Sequence, residues 1–118
     1  KYARKYMPES LYVLFDEIVV PYLISRIREE MSVETICHEK LFFLQDYDSR
    51  KGTDYYQTLR VYLENERNLT LVSHILHIHR STLQYRIEKL SELLGLSLDD
   101  SDLRFYLLCC FRLLDKVR

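Results

Sequence analysis

The sequence predicts an all-α fold, a compact helical domain of about six helices, and three observations support this prediction. Apolar residues recur every three or four positions along most of the 118-residue chain, which is the spacing of one helix face. Only two glycines and two prolines are present, so few positions favour breaks between helices. Hydrophobic residues make up 47% of the chain, enough for one sizeable core, and we therefore expect a single domain.

Residues 10–31 form the first predicted helical segment. Their apolar side chains are spaced as on one helix face, at Leu11, Leu14, Phe15, Ile18, Val19, Tyr22, Leu23 and Ile27. Pro21 falls inside this pattern, although it has no amide hydrogen to donate and its ring clashes with the preceding turn. The sequence therefore predicts either a kink at Pro21 or a junction between two helices.

Two further helices are predicted between residues 32 and 66. Ser32 is the predicted N-cap of the first helix and Gly52 its predicted end. The candidate core residues of this helix are Ile36, Leu41, Phe42, Phe43 and Leu44. Asp54 is the predicted N-cap of the second helix, whose buried stripe is Tyr55, Leu59, Tyr62 and Leu63. We interpret its tyrosines as core residues whose hydroxyls lie at the edge of the hydrophobic core.

Residues 68–95 predict two helices joined by a short turn. Thr70 is the predicted N-cap of the first helix, which runs to about His77, and Ser73 supplies the small side chain needed where the two helices approach. The residues predicted to face inward are Val72, Ile75 and Leu76, with Ile78 as an apolar plug in the turn.

The second helix of this pair is predicted to begin near Arg80 and to end at Gly95, a left-handed stop. Its inward residues fall within a narrow angular band, at Leu83, Ile87, Leu90 and Leu94. Helices joined by so short a turn must cross steeply, so the pair predicts a helix-turn-helix.

Asp100 is the predicted N-cap of a last helix. The candidate core residues of this helix are Leu103, Tyr106, Leu107, Cys110, Phe111 and Leu114. Because so apolar a helix is not stable alone, we expect it to pack against the rest of the domain or against a second copy of the chain.

Positive charge is concentrated in the helix-turn-helix window, although the net charge of the chain is only −1. Residues 67–89 contain one acidic residue, Glu88, and four basic residues, Arg67, Arg80, Arg86 and Lys89. Three of the four histidines, His74, His77 and His79, fall in the same window. Local positive charge favours contact with phosphates, so the window predicts binding to double-stranded DNA.

The predicted outer face of the second helix carries side chains that can read bases and bind phosphates. In helix-turn-helix docking the start of this helix approaches base edges, so the base-reading candidates are His79, Arg80, Ser81, Thr82, Gln84 and Tyr85. The phosphate-binding candidates are Thr70, Arg86 and Lys89. Alternatively, His79 is only a helix cap, Arg80 pairs with an acid of a neighbouring helix, and the outer face is ordinary solvated surface.

Several other classes of protein are disfavoured by the sequence. No apolar run reaches the ~18 residues of a membrane-spanning helix and no signal peptide is visible, so we expect a soluble cytoplasmic protein without a membrane partner. The odd count of three cysteines favours reduced thiols over disulfides. No phosphate loop or nucleophile motif is present, and the histidines lack the spacing of a metal site, so we expect no enzyme activity, cofactor or metal.

The chain resembles the C-terminal helix-turn-helix domain of the PucR and CdaR-type bacterial regulators of purine and sugar-diacid catabolism. The resemblance covers DYDSRKGTDYYQTLRVYLENERN, IHRSTLQYRIEKLSELLG and LSLDDSDLRFYLLCCFRLL, and its most specific part is His79, Arg80, Thr82, Leu83, Tyr85 and Arg86. The chain departs from the family pattern at Ser81, where Asn is usual, and at Val72, Ser73 and Ser101. Ser and Asn differ in reach and in the number of hydrogen-bond donors, so a base preference at Ser81 does not follow from the family pattern.

The resemblance implies a sequence-specific DNA-binding domain that acts as a homodimer or higher homo-oligomer, downstream of a sensory region. Residues 36–118 would form this domain, and residues 1–35 a variable helical linker or helices packed on it. Because the chain begins without Met, we expect a fragment whose effector, if any, binds outside it. The alternative function is a helical dimerisation or protein-interaction module that has lost DNA binding, which the near-neutral charge favours.

Overall fold

The computed structural model describes residues 8–115, except the side chains of residues 12 and 16. A π-helical turn (Phe15–Val19) and eight α-helices occur in this range: α1 (Glu9–Leu14), α2 (Val20–Glu30), α3 (Val33–Ile36), α4 (Glu39–Lys51), α5 (Tyr55–Glu64), α6 (Leu69–Leu76), α7 (Arg80–Leu94) and α8 (Ser101–Leu114). Six of the helices are eight residues or longer, and the described residues contain no strand, so the predicted all-α fold is confirmed. The predicted regions 1–35 and 36–118 both extend past the described residues.

The N-terminal helical run is interrupted just before Pro21, as the sequence predicted. Helices α1 and α2 are joined by the π-helical turn, in which the amide of Val20 donates to the carbonyl of Phe15, five positions earlier. In a regular α-helix the proline ring would clash with the carbonyl of Glu17. Glu17 lies inside the wider π-helical turn, which lets the run continue past the proline.

The prediction of a single helix from Ser32 to Gly52 is wrong, because the helix is interrupted at Cys37 and His38 and divides into α3 and α4. His38 is the N-cap of α4, where its Nδ1 accepts a hydrogen bond of 3.1 Å from the amide of Lys40. Ser32 precedes α3 as predicted, but its hydroxyl donates to the Glu34 carboxylate and accepts no hydrogen bond from the amides of the helix start. Gly52 ends α4 in the left-handed conformation, with a φ of 67°, which confirms the predicted stop.

The first turn of α5 is capped by a residue that the sequence did not indicate. Asp54 occupies the N-cap position, but its side chain makes no capping hydrogen bond. The Asp48 carboxylate instead accepts from the amides of Tyr55 and Tyr56, each at 2.9 Å, and from the Thr53 hydroxyl. Asp48 therefore ties the end of α4 to the start of α5, a role that only the folded turn reveals.

One main core joins α4, α5, α7 and α8. Its fully buried members include Leu41, Leu44, Leu59, Leu90, Leu94, Leu107, Cys110 and Phe111. Asp100 caps α8 as predicted, by accepting from the amides of Asp102 and Leu103. Two residues predicted to be core are exposed: Phe43, and Tyr106, whose hydroxyl donates to the carbonyl of Ile36.

The three cysteines are free thiols. Cys37 is buried against α8, with its Sγ 4.0 Å from the carbonyl oxygen of Cys110, and burial raises the pKa of this thiol to about 12. A thiol with so high a pKa is an inert core residue at neutral pH. Among residues 8–115, none of the helices combines the length and apolar content needed to cross a bilayer.

Candidate nucleic-acid interface

Helix α6 is the first helix of the predicted pair, and it begins two residues earlier than a Thr70 cap would require. Asn68 is its N-cap, with a side-chain oxygen that accepts a 3.0 Å hydrogen bond from the amide of Leu71. The prediction of Thr70 as the N-cap is therefore wrong. Thr70 lies in the first turn with its side chain exposed, because Glu66 and Arg67 adopt left-handed conformations that end the preceding turn just before Asn68.

The short turn predicted between α6 and α7 consists of His77, Ile78 and His79, so the first helix ends at Leu76, one residue before the predicted His77. His77 takes the left-handed conformation, with a φ of 55°, and the amide of Ile78 donates to the carbonyl of Ser73. Ser73 is buried at the approach of the helices, as predicted, and its hydroxyl donates to the carbonyl of Thr70. These hydrogen bonds fix the C-terminal end of α6 and the start of the turn.

A small apolar cluster clamps α6 and α7 onto α5. It is formed by the buried side chains of Val61, Val72 and Leu83, with Leu76 and Ile78 packed against it. Leu90 and Leu94 extend the same face of α7 into the main core, so the predicted inward face is confirmed. Ile75 was predicted to face inward but is 44% exposed, because α6 has helices on only one side.

Helix α7 runs from Arg80 to Leu94 and ends at Gly95, as the sequence predicted. His79 is its N-cap, and the His79 Nδ1 accepts a 3.2 Å hydrogen bond from the amide of Ser81 and lies 2.8 Å from the Ser81 hydroxyl. The cap role left open for His79 is therefore real. It occupies one ring nitrogen and part of the bonding capacity of Ser81, which reduces what either residue can offer to a base.

The remaining predicted base-reading residues lie on the open side of α7. Thr82, Gln84 and Tyr85 are exposed together with Arg80 and Ser81, and Tyr85 has 63% of its surface accessible. No other helix covers this face in the described part of the chain. An exposed helix face of polar side chains that can donate and accept hydrogen bonds has the form required to enter a DNA major groove.

Cations border this open face on both sides. On the α6 side, the Arg80 guanidinium lies 3.4 Å from the Thr70 hydroxyl. On the opposite side lie Arg86 and Lys89, both half-buried along their stems. Within residues 8–115 these three cations make no ion pair with an acid, so the alternative in which Arg80 is neutralised by a neighbouring helix is wrong.

Arg67 does not belong to this surface, although the sequence counted it in the basic window. Its guanidinium forms an ion pair of 3.0 Å with Asp99 and lines a cavity of about 540 Å³ at α5 and α8, beside Arg104 and Arg112. The Arg104 guanidinium in turn donates to the carbonyl of Leu98. These arginines hold the loop between α7 and α8, and they leave the positive charge of the interface to Arg80, Arg86 and Lys89.

The turn from α4 to α5 is a neighbour of α7 that sequence reasoning missed. Residues 52–55 and Arg86 line one cavity of about 210 Å³. Burial raises the pKa of Tyr55 in this region, the Tyr47 and Tyr85 hydroxyls raise it further, and Lys89 and Arg86 oppose them. The available signal was the basic pair Arg50 and Lys51, directly before the predicted helix end at Gly52.

The described residues contain no group of three or more His, Cys, Asp or Glu side chains that could hold a metal ion. His74 and His77 lie on the exposed surface of α6 and the turn, and His79 is engaged as a cap.

Comparison with known proteins also identifies a helix-turn-helix domain in this part of the chain. Residues 55–113, half of the chain, match the family described as the PucR C-terminal helix-turn-helix domain. This range contains α5 to α8 with the exception of the last residue of α8, and so includes the whole candidate interface.

Three curated bacterial proteins are similar to the chain. An uncharacterised Bacillus subtilis protein, YxkF, is 34% identical over 99 residues, which cover 82% of this chain and 31% of that protein. The carbohydrate diacid regulator of Escherichia coli is 28% identical over 111 residues, 94% of this chain and 28% of the regulator. The purine catabolism regulatory protein of Bacillus subtilis is 47% identical over 45 residues, 38% of this chain and 8% of that protein. The chain thus spans less than a third of each relative, and no solved structure gives a significant match.

Proposed function

The chain belongs to the family of PucR C-terminal helix-turn-helix domains, and we propose that it is the sequence-specific DNA-binding domain of a bacterial transcriptional regulator. The observation that carries this proposal is the exposed polar face of α7. Within residues 8–115, no helix covers this face, and the three cations that border it have no acidic partner. Such a face supplies both the base-reading groups and the phosphate contacts that DNA recognition needs. The activity is binding, without a catalytic step.

Within this proposal, the side chains of the interface divide into two roles. Arg80 and Gln84 read bases from the first turns of α7, because Arg can bind guanine and Gln can bind adenine through paired hydrogen bonds. Ser81, Thr82 and Tyr85 add contacts to base edges or to the sugar-phosphate chain. Thr70, Arg86 and Lys89 bind phosphates on the two sides of the groove, and His79 fixes the first turn of α7.

The regulated genes are proposed to belong to catabolism. Two of the relatives are named for the regulation of carbohydrate diacids and of purine catabolism. Because the chain spans less than a third of each relative, any effector is expected to bind a region outside it. A regulator of this kind acts in the cytoplasm, where the bacterial chromosome lies.

Two copies of the chain are proposed to bind paired half-sites, about one helical turn or 34–36 Å apart. The support is an apolar face of the N-terminal helical run that nothing covers in the described residues. We call this the N-terminal apolar face, and it consists of Leu11, Leu14, Phe15, Ile18 and Tyr22. A continuous exposed apolar patch of this kind is typical of an interface, and a second copy would bury the same face on both chains.

Sedimentation equilibrium tests the dimer. Ile18→Glu is expected to convert dimers to monomers, because it places a charge at the centre of the N-terminal apolar face. Thr35→Glu introduces the same charge at an exposed polar position of α3, outside this face, and is the matched control that should leave the mass unchanged. A wild-type chain that stays monomeric at all concentrations would contradict this part of the proposal.

Fluorescence anisotropy with duplex DNA tests the DNA-binding function itself. Binding to random duplex is expected to weaken steeply between about 50 and 200 mM salt, since each phosphate contact releases counterions. A folded, dimeric sample that binds no DNA at either salt would contradict the proposal and favour the interaction module. Salt-sensitive binding would be followed by selection of an operator sequence.

A further inference from the structure

The two sides of α7 face different parts of the protein. The α6 side carries Arg80, whose guanidinium lies at the exposed hydroxyl of Thr70. The other side carries Arg86 and Lys89, three positions apart and therefore on one strip of the helix. Arg86 lines a cavity with residues 52–55, so this strip faces the turn between α4 and α5.

A helix in the major groove lies between two sugar-phosphate strands, across a groove about 12 Å wide. In the proposed function, the start of α6 meets one of these strands. The strand on the other side of the groove must pass the Arg86 and Lys89 strip. The turn between α4 and α5 is the part of the described protein that borders this strip.

We propose that the α4–α5 turn is a second phosphate-binding surface, in which Lys51 joins Arg86 and Lys89 to hold the far strand of the groove. This inference rests on the proposed function, and it adds a contact outside the helix-turn-helix. Lys51 is exposed in the last turn of α4, directly before Gly52. The neighbouring Arg50 is held by Asp46 at 2.9 Å and is not needed for the contact.

The charge and shape of the turn fit this role. Within residues 8–115, the Lys51 ammonium makes no ion pair or hydrogen bond. Asp54 also lines the cavity, and its carboxylate offsets one charge, so the three cations leave an excess of positive charge. The second acid nearby, Asp48, is occupied by two amides and a hydroxyl.

The turn is also open to a close approach. A Cβ built on Gly52 would meet no heavy atom within 4 Å, so space above the turn is free. The amides of Gly52 and Thr53 donate to the carbonyl of Asp48 and are not available to a ligand. A phosphate is therefore bound by the side chains of Lys51 and Arg86, through charge, and not by the backbone.

Salt titrations of DNA binding test this surface with a matched pair of variants of the full chain. Lys51→Ala is compared with Lys40→Ala, a lysine at the opposite end of α4, roughly 16 Å away at 1.5 Å per residue. Affinity is measured on random duplex and on a selected operator, and circular dichroism shows that each variant is folded. Lys51→Glu and Lys40→Glu repeat the comparison with reversed charge.

Lys51→Ala is expected to weaken both DNAs by the same several-fold factor and to reduce the slope of log K against log salt by about 0.9, the value for one phosphate. Lys40→Ala should keep the wild-type slope, and Lys51→Glu should weaken binding further. Equal slopes of log K against log salt for the Lys51 and Lys40 variants would overturn the proposal of a second phosphate-binding surface and leave the proposed function intact. A wild-type chain that does not bind DNA would overturn both.

Discussion

The helix-turn-helix pair and the N-terminal helical run have similar apolar periodicity but opposite burial. In α6 and α7, the side chains of Val72, Leu83 and Leu90 are fully buried. In the N-terminal helical run, apolar residues remain exposed, with Ile18 of the π-helical turn at 59% and Tyr22 of α2 at 60%, and α2 has no buried residue. Periodicity thus identifies which side chains share a face, whereas burial depends on whether another element packs against that face.

The attachment of the N-terminal run to the domain is largely polar. The Arg28 guanidinium donates to the carbonyls of Arg112, Leu113 and Asp115 at the C-terminal end of α8. These carbonyls have no partner within the helix, and a cation there also interacts favourably with the helix dipole. Ile24 adds a partly buried apolar contact to the main core. The run is therefore anchored at its C-terminal half, and the N-terminal apolar face lies beyond the anchor.

The largest expected effect tests this difference in burial directly. Leu83→Ala should lower the free energy of unfolding by about 2–5 kcal/mol, because it opens a cavity in the cluster that clamps α6 and α7 onto α5. Ile18→Ala should cost less than about 0.5 kcal/mol in a monomeric sample. Urea denaturation followed by circular dichroism measures both. A comparable loss for Ile18→Ala in monomers would show that the N-terminal apolar face is buried within one chain.

The next effect concerns DNA binding, which only one of the two regions should control. Arg80→Ala is expected to lose about 1–3 kcal/mol of binding free energy on the operator and to relax its specificity. Lys89→Ala should weaken operator and random DNA alike, since it contacts phosphate. Competition anisotropy with both DNAs separates the two patterns. Small, equal losses for both variants on both DNAs would contradict the assignment of Arg80 to base reading.

A smaller effect is expected at the cap of α7. His79→Ala removes the acceptor for the Ser81 amide and should destabilise the domain by about 0.5–2 kcal/mol. His79→Asn should restore most of this loss, because Asn is a good N-cap. His74→Ala, at an exposed position of α6, is the matched control, and thermal unfolding measures all three. If His79→Ala is as stable as His74→Ala, the cap contributes nothing.

The smallest effect is a pH dependence at the edge of the main core. The Arg60 guanidinium forms hydrogen bonds to Asp115 and lowers the pKa of that carboxyl below its ordinary value of 3.8. A lowered pKa means that this stabilisation is present above pH 3.8 and is lost as the pH falls through the lower, folded-state pKa. Because both side chains are partly exposed, we expect less than about 1 kcal/mol.

Comparison of wild type with Asp115→Asn over a series of pH values isolates this contribution. The difference in the free energy of unfolding should be constant from pH 7 to about 5, because the Asp115 carboxyl is then ionised in both the folded and the unfolded protein. The difference should shrink below about pH 4. A difference that does not change with pH would mean that the ion pair adds no net stability.

Local signals determined much of the helix-turn-helix. The sequence placed the start of α7 near Arg80, its end at Gly95 and the cap of α8 at Asp100, and the structure agrees. A helix end is decided by a few neighbouring residues, whose capping and left-handed preferences can be identified without the fold. For the same reason, the inward band of α7 was predictable from spacing alone. The assignment of its outer face to DNA stays a prediction.

Only the tertiary structure decided which of two possible N-cap residues is used and which residues of different helices contact one another. Asn68 and Thr70 are both capping residues, and the left-handed turn at Glu66 and Arg67 selects Asn68. Asp48 caps α5 from another helix, and Arg67 is removed from the basic surface by Asp99, 32 positions away. Ile75 and the N-terminal apolar face stay exposed because none of the helices within residues 8–115 packs over them. Periodicity and propensity act over one or two turns, whereas partner contacts depend on the three-dimensional path of the whole chain.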